Sequence, residues 1–149
     1  MQAIQTVGII GAGTMGNGIA QACATCGINV VMVDISQAAV DKGLATVSSS
    51  LDRLIKKEKI TADDKAAALA GITVATDYAA LAGAQLVIEA ATENEELKIK
   101  ILQQLDAMLP KETLIASNTS SISITKLAAA TQRASQFIGM HFFNPVPMM

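Results

Sequence analysis

With 149 residues, 51% of them hydrophobic and 16% charged, the chain has the length and composition of one globular domain rather than of a disordered segment. A formal charge of −2, with no Trp, one Tyr and three Phe, argues against a nucleic-acid surface and an aromatic platform for single strands. No apolar run reaches the roughly 18 residues of a membrane span, and Met1 to Gln5 shows no basic region leading into an apolar stretch, so a cytoplasmic protein is expected.

Thr6-Val7-Gly8-Ile9-Ile10 is a continuous apolar run that ends in glycine, as a strand buried on both faces requires. Thr14 to Cys26 reads as a helix closed by Gly27 at C′. Its C-x-x-C, Cys23 and Cys26, has the spacing of a redox pair or of half a zinc site. No second cysteine pair exists and the only histidine, His141, is far along the chain. Both thiols are therefore read as small hydrophobes on a packed helix, and no metal is expected. Ile28 to Val33 is a second β-branched strand ending at Asp34, and Ser36 is a good N-cap for a long helix running towards Lys57. Thr61 to Asp64 resembles an N-cap with an acidic first turn, opening another helix that ends by Gly71.

Ile72 to Ala75, Leu86 to Ala90 and Leu114 to Ala116 are three further strands. Between the last two, Leu97, Ile101, Leu105 and Met108 recur at helical spacing over Glu95 to Leu109, closed by Pro110. Ile122 to Ala130 is a shorter helix and Phe137 to Phe143 a last strand, running into Asn144-Pro145-Val146-Pro147. This alternation implies an α/β, doubly wound, mainly parallel sheet with helices on both faces. The paired helices between Ser36 and Ala70 form an insertion after the second strand, longer than a usual crossover.

Gly11-Ala12-Gly13-Thr14-Met15-Gly16 matches G-x-G-x-x-G, and it follows a strand and opens a helix. Gly11 permits the turn, Gly13 lets the backbone approach a pyrophosphate, and Gly16 lets the helix pack closely on the sheet. The helix N-terminus then favours the bound anion. Asp34, at the end of the second strand, can accept hydrogen bonds from both ribose hydroxyls and would repel a 2′-phosphate, which favours NAD over NADP. The sum of these signals is a Rossmann-type dinucleotide-binding domain.

Ala116-Ser117-Asn118-Thr119-Ser120-Ser121 and His141-Phe142-Phe143-Asn144-Pro145-Val146-Pro147 are more specific than the glycine motif. On these residues the chain resembles, over essentially its whole length, the N-terminal domain of the L-3-hydroxyacyl-CoA dehydrogenases. The resemblance implies an NAD-dependent oxidoreductase of fatty acid metabolism. It would interconvert 3-hydroxyacyl-CoA, 3-hydroxybutyryl-CoA above all, with 3-oxoacyl-CoA. His141 is then the acid/base, Ser120 a hydrogen-bond partner of the substrate oxygen and of the cofactor region, and Asn118 a residue that orders the loop. Glu93, Lys98 and Asn144 would surround the nicotinamide half of NAD, while Ser50 and Lys57, with Ser120, would contact the acyl-CoA. The resemblance also implies a homodimer for the intact protein, an acid after the H-F-F-N-P-V-P segment that orients the histidine, and a helical C-terminal domain. Residues 1–149 are accordingly read as the NAD-binding domain without that helical domain, able to bind NAD and poorly active alone. A binding module that holds NAD(H) without turnover is the alternative. Without the resemblance, His141 reads equally as a hydrogen-bonded core residue, Ser-Asn-Thr-Ser as a loop bonded to backbone, and Lys57 as part of a solvated helix face.

Overall fold

Short β-branched runs separated by longer helical stretches become a sheet sandwiched between helices in the computed structural model, which describes residues 2–149. Among the described residues, the strands are β1 (Thr6–Ile10), β2 (Asn29–Val33), β3 (Ile72–Ala75), β4 (Leu86–Glu89), β5 (Leu114–Ser117) and β6 (Phe137–Gly139). They lie in the order β3-β2-β1-β4-β5-β6, every pairing parallel. The helices are α1 (Thr14–Thr25), α2 (Gln37–Lys56), α3 (Ala62–Ala70), α4 (Glu95–Met108) and α5 (Ile124–Ala129). Strand order reverses between β1 and β4, the crevice where open sheets of this kind take their ligands.

The pleat divides the core in two. Val7 and Ile9 of β1, Val30 and Met32 of β2, and Leu86 and Ile88 of β4 pack with Ile19, Val40, Val47 and Leu51 from α1 and α2. Ile10, Val33, Val87 and Ile115 point the other way, into a cluster with Leu102 and Leu105 of α4 and Leu127 of α5. Because both faces are covered, alternate positions are apolar on each, which explains the continuous hydrophobic runs.

Local chemistry sets the helix ends. The Ser36 hydroxyl accepts from the Ala39 amide at 3.1 Å, and Thr61 and Asp64 cap each other reciprocally at 3.1 and 2.9 Å. The last turn of α4 is closed from a distance. The buried Arg133 guanidinium donates to Asp106 Oδ1 at 2.6 Å and to the carbonyls of Asp106, Leu109, Pro110 and Thr113. It thereby satisfies acceptors that a helix terminus otherwise leaves open.

Three expectations are corrected. The last strand stops at Gly139 instead of Phe143, because its partner β5 ends at Ser117 and the Phe142 amide donates to the Asn118 side chain at 2.8 Å. The helix near residue 122 begins later, at Ile124, because Ser123 is its N-cap. In the C-x-x-C, Cys23 packs against the core as expected, but α1 ends at Thr25, so Cys26 is the C-cap and exposed, and Gly27 follows with φ 79°. A short 3-10 turn at Tyr78–Leu81 has no counterpart in the sequence reading. No helix among the described residues is long and apolar enough to cross a membrane.

Candidate functional site

β1 delivers the chain into Gly11 at φ 105°, where a Cβ would stand 2.6 Å from the Ala90 carbonyl oxygen. A Cβ on Gly16 would stand 1.7 Å from the Gly11 carbonyl oxygen, so α1 sits directly on the turn. Gly13 differs: a Cβ there would meet nothing within 4 Å. Gly13 is also the N-cap of α1, with no side chain over the first-turn amides. The cradle thus presents unpaired N–H groups and the positive end of the helix to open space, which fits a pyrophosphate. Thr14 is exposed at this opening, whereas Met15 is half-buried against the core.

Asp34 follows β2 and faces the same opening. Its Oδ2 accepts from the Ala12 amide at 2.8 Å and its Oδ1 from the Ile35 amide at 2.7 Å. The Ala12 N–H is therefore committed to Asp34, while each carboxylate oxygen keeps lone-pair capacity for a hydroxyl. Asp34 borders two grooves. One, of about 810 Å³, runs past Ile35, Asp77, Tyr78, Ala91 and Leu97. The other, of about 300 Å³, lies towards Gly13, Thr14 and Lys42. Burial pushes the Tyr78 phenol up from its ordinary pKa, and the charges of Asp34 and Glu89 push it further.

The Ser117–Ser121 turn, after β5, is tied on two sides. Glu93 Oε2 accepts from the hydroxyls of Thr119 and Ser121, each at 3.0 Å, so this carboxylate brackets Ser120, which is exposed. Asn118 Oδ1 accepts from the Phe142 amide, so Asn118 orders the segment carrying His141 as well as its own turn. The His141 imidazole is exposed beyond the end of β6, its ring centroid 4.9 Å from that of Phe143. Both polar segments lie at the carboxyl ends of neighbouring strands.

Lys98, expected beside Glu93 and Asn144, lies beneath the turn that Glu93 ties, since the Ser117 hydroxyl near its ammonium also accepts from the Thr119 amide and Thr119 donates to Glu93. It is 1% exposed, inside α4, with its ammonium paired to Glu89 and 3.4 Å from the Ser117 hydroxyl. Asn144 instead lines a groove of about 240 Å³ together with Ser50, Lys57, Arg53 and Asn17. Two of the three positions expected to contact acyl-CoA, Ser50 and Lys57, therefore share one groove between α1, α2 and the Asn144–Met148 segment, while Ser120 is not among the residues that line it. A Cβ on Gly18 would come within 3.0 Å of Val146, so a glycine outside the phosphate motif lets that segment dock on α1.

Sequence reasoning missed Glu89, Ser117, Tyr78 and Gly18. Glu89 had a visible signal: it is a carboxylate closing an otherwise apolar strand, level with Val33, the residue before Asp34. Gly18 had none, since its partner is distant in sequence.

The family described as 3-hydroxyacyl-CoA dehydrogenase, NAD binding domain, matches residues 6–149. A 3-hydroxybutyryl-CoA dehydrogenase of Bradyrhizobium diazoefficiens is 50% identical over 146 residues, covering 98% of this chain and 50% of that protein. One from Clostridioides difficile is 43% identical over 141 residues, covering 95% of this chain and 50% of that protein. Among solved structures, (S)-3-hydroxybutyryl-CoA dehydrogenase of Ralstonia eutropha is 70% identical with a TM-score of 0.97, covering 99% of this chain and 52% of that one. The chain spans about half the length of the curated relatives it matches. With the strand order, the glycine cradle and the two polar segments, these matches establish that the chain belongs to the NAD-binding domain family of the 3-hydroxyacyl-CoA dehydrogenases.

Proposed function

We propose that residues 1–149 are the NAD-binding domain of a dehydrogenase that interconverts 3-hydroxybutyryl-CoA and acetoacetyl-CoA. The observation that carries the reading is the Asn118–Phe142 hydrogen bond, which joins the turn bearing Ser120 to the segment bearing His141. When bound, NAD supplies the hydride acceptor at C3 of the substrate. His141 takes the proton of the 3-hydroxyl, and returns it in the reductive direction, the general-base and general-acid roles that an imidazole can fill in turn. The Ser120 hydroxyl donates to the substrate oxygen as carbonyl character develops. Asp34 holds the adenosine ribose and selects NAD over NADP. Glu93, Asn144 and Lys98 serve the nicotinamide half, and Ser50 and Lys57 the coenzyme A phosphates. Cytoplasmic residence and a homodimer of the intact protein complete the reading.

NADH fluorescence titration and acetoacetyl-CoA-dependent NADH oxidation test it. The chain binds NADH, and His141→Ala abolishes residual oxidation while NADH affinity stays within about twofold, since the imidazole acts on the substrate. A large affinity loss in His141→Ala, or no NADH binding by the unaltered chain, would overturn the assignment.

A further inference from the structure

Glu89 closes β4 and has no part in the chemistry above. It is 0% exposed and lies in register between Ile10 of β1 and Ser117 of β5. Its Oε1 accepts from the Lys98 ammonium and from the Ser117 hydroxyl, the latter at 2.9 Å, while its Oε2 accepts from the Ala91 amide at 2.9 Å. Its carbonyl oxygen accepts from the Asn118 amide at 2.9 Å. Ser117, also fully buried, accepts the Thr119 amide on its hydroxyl at 3.3 Å and the Met140 amide on its carbonyl at 2.9 Å. One carboxylate is thus tied to α4, to the loop leading to Glu93, and to the turn bearing Ser120. At one remove it reaches the residue before His141.

Stability is a weak reason for an ion pair here. Desolvation of two charges offsets most of their attraction, and apolar residues of similar volume often hold a fold equally well. The surroundings are already apolar, with Ile10, Val87, Ile101 and Ile115 in the adjoining core. What apolar residues cannot supply is direction, because only fixed donors and acceptors pin two loops at a set distance. We propose that Glu89 is a positioning residue for the nicotinamide end of the cofactor. With Lys98 and Ser117 it locks the Ala91–Glu93 loop against the Ser117–Ser121 turn, so that the reactive ring meets a surface formed in advance. Lys98 then acts through these loops, as the buried partner of Glu89. The inference rests on reading those loops as the nicotinamide side of an NAD site.

The test titrates the chain with NADH and with ADP-ribose, which lacks the nicotinamide, and follows urea denaturation of the same variants. Glu89→Gln is expected to weaken NADH by about tenfold, the scale of a lost buried hydrogen bond, while ADP-ribose changes by less than about twofold. Ser117→Ala, which leaves the ion pair intact, is expected to move NADH in the same direction with little loss of stability; it carries the test if Glu89→Gln fails to fold. In Glu89→Gln/Lys98→Met, stability returns and NADH affinity does not. Equal losses for both ligands, recovery of NADH affinity with stability in the double variant, or tighter NADH binding in Glu89→Gln would each overturn the proposal. If the unaltered chain bound neither ligand, the cofactor reading itself would fall.

Discussion

Gly13 and Gly16 stand three residues apart in one motif, yet alanine at each should fail for a different reason. At Gly16 the new Cβ would lie 1.7 Å from the Gly11 carbonyl oxygen, and real Cβ contacts essentially never fall under 3.0 Å, so α1 must retreat from the turn by more than an ångström. Both neighbours are backbone, so no flexible side chain can absorb the movement. Overpacking of this kind costs about 3 kcal/mol, and with a urea slope of about 2 kcal/mol/M the midpoint falls by about 1.5 M. The same retreat displaces the first-turn amides from the anion, so NADH affinity falls as well. At Gly13 the backbone has φ −70°, which alanine adopts freely, and the Cβ would meet nothing within 4 Å. Gly13→Ala should therefore keep the wild-type midpoint to within about 0.5 kcal/mol and lose NADH affinity by about tenfold or more, because the methyl group occupies the approach of the pyrophosphate. Urea denaturation and NADH fluorescence on the two variants separate the cases. A Gly16→Ala protein with wild-type stability, or a Gly13→Ala protein that binds NADH normally, would refute the reasoning.

Two further outcomes are specific to this chain. Tyr78 is its only tyrosine and it contains no tryptophan, so absorbance at the tyrosinate band reports that one phenol. Burial raises its pKa, with Asp34 and Glu89 adding to the shift, so the midpoint should lie above about 10. The linked stability is complete below the unfolded value and is lost as pH rises through the folded one, because only the unfolded chain ionises in that interval. Tyr78→Phe should flatten that alkaline decline; a tyrosinate midpoint at or below about 10 would contradict the assignment. Arg133→Ala removes the side chain that holds Asp106 and the carbonyls at the end of α4, leaving buried acceptors unpaired. Urea denaturation should show a loss of about 3 kcal/mol, and a loss below about 1 kcal/mol would mean that water replaces the guanidinium.

Much of this structure was legible because local rules and global packing agree. Thr61 and Asp64 advertise a helix start, and the capping box is there; Gly27 advertises a helix end, and it takes φ 79°. The glycine motif and Asp34 were readable because each position answers a local need of one turn. Lys98 shows how a legible pattern can be passed over. It stands at helical spacing with Ile101, Leu102 and Leu105, which is the buried face of α4, and its burial follows from that period. The shortening of the last strand was not readable, because it depends on where β5 stops and on an Asn118 side chain taking the Phe142 amide. Nor was the groove shared by Ser50, Lys57 and Asn144, since Gly18 and Val146 meet only after the chain has closed on itself.

Strand order has a consequence for how the chain acquires this site. β1 is made first, yet one of its edges waits for β4, from Val7 at one end of the interval to Leu86 at the other. Closing so long a loop must precede any reward from the pairing, so this step belongs among the slow, non-local events of folding. The floor beneath Gly11 is Ala90 and Ala91, which arrive with that same strand. A growing polypeptide that has already formed β1, α1 and β2 thus carries the whole glycine motif without a usable cradle. Cofactor cannot assist the early collapse of this domain; it can stabilise only species in which the two halves of the sheet have joined.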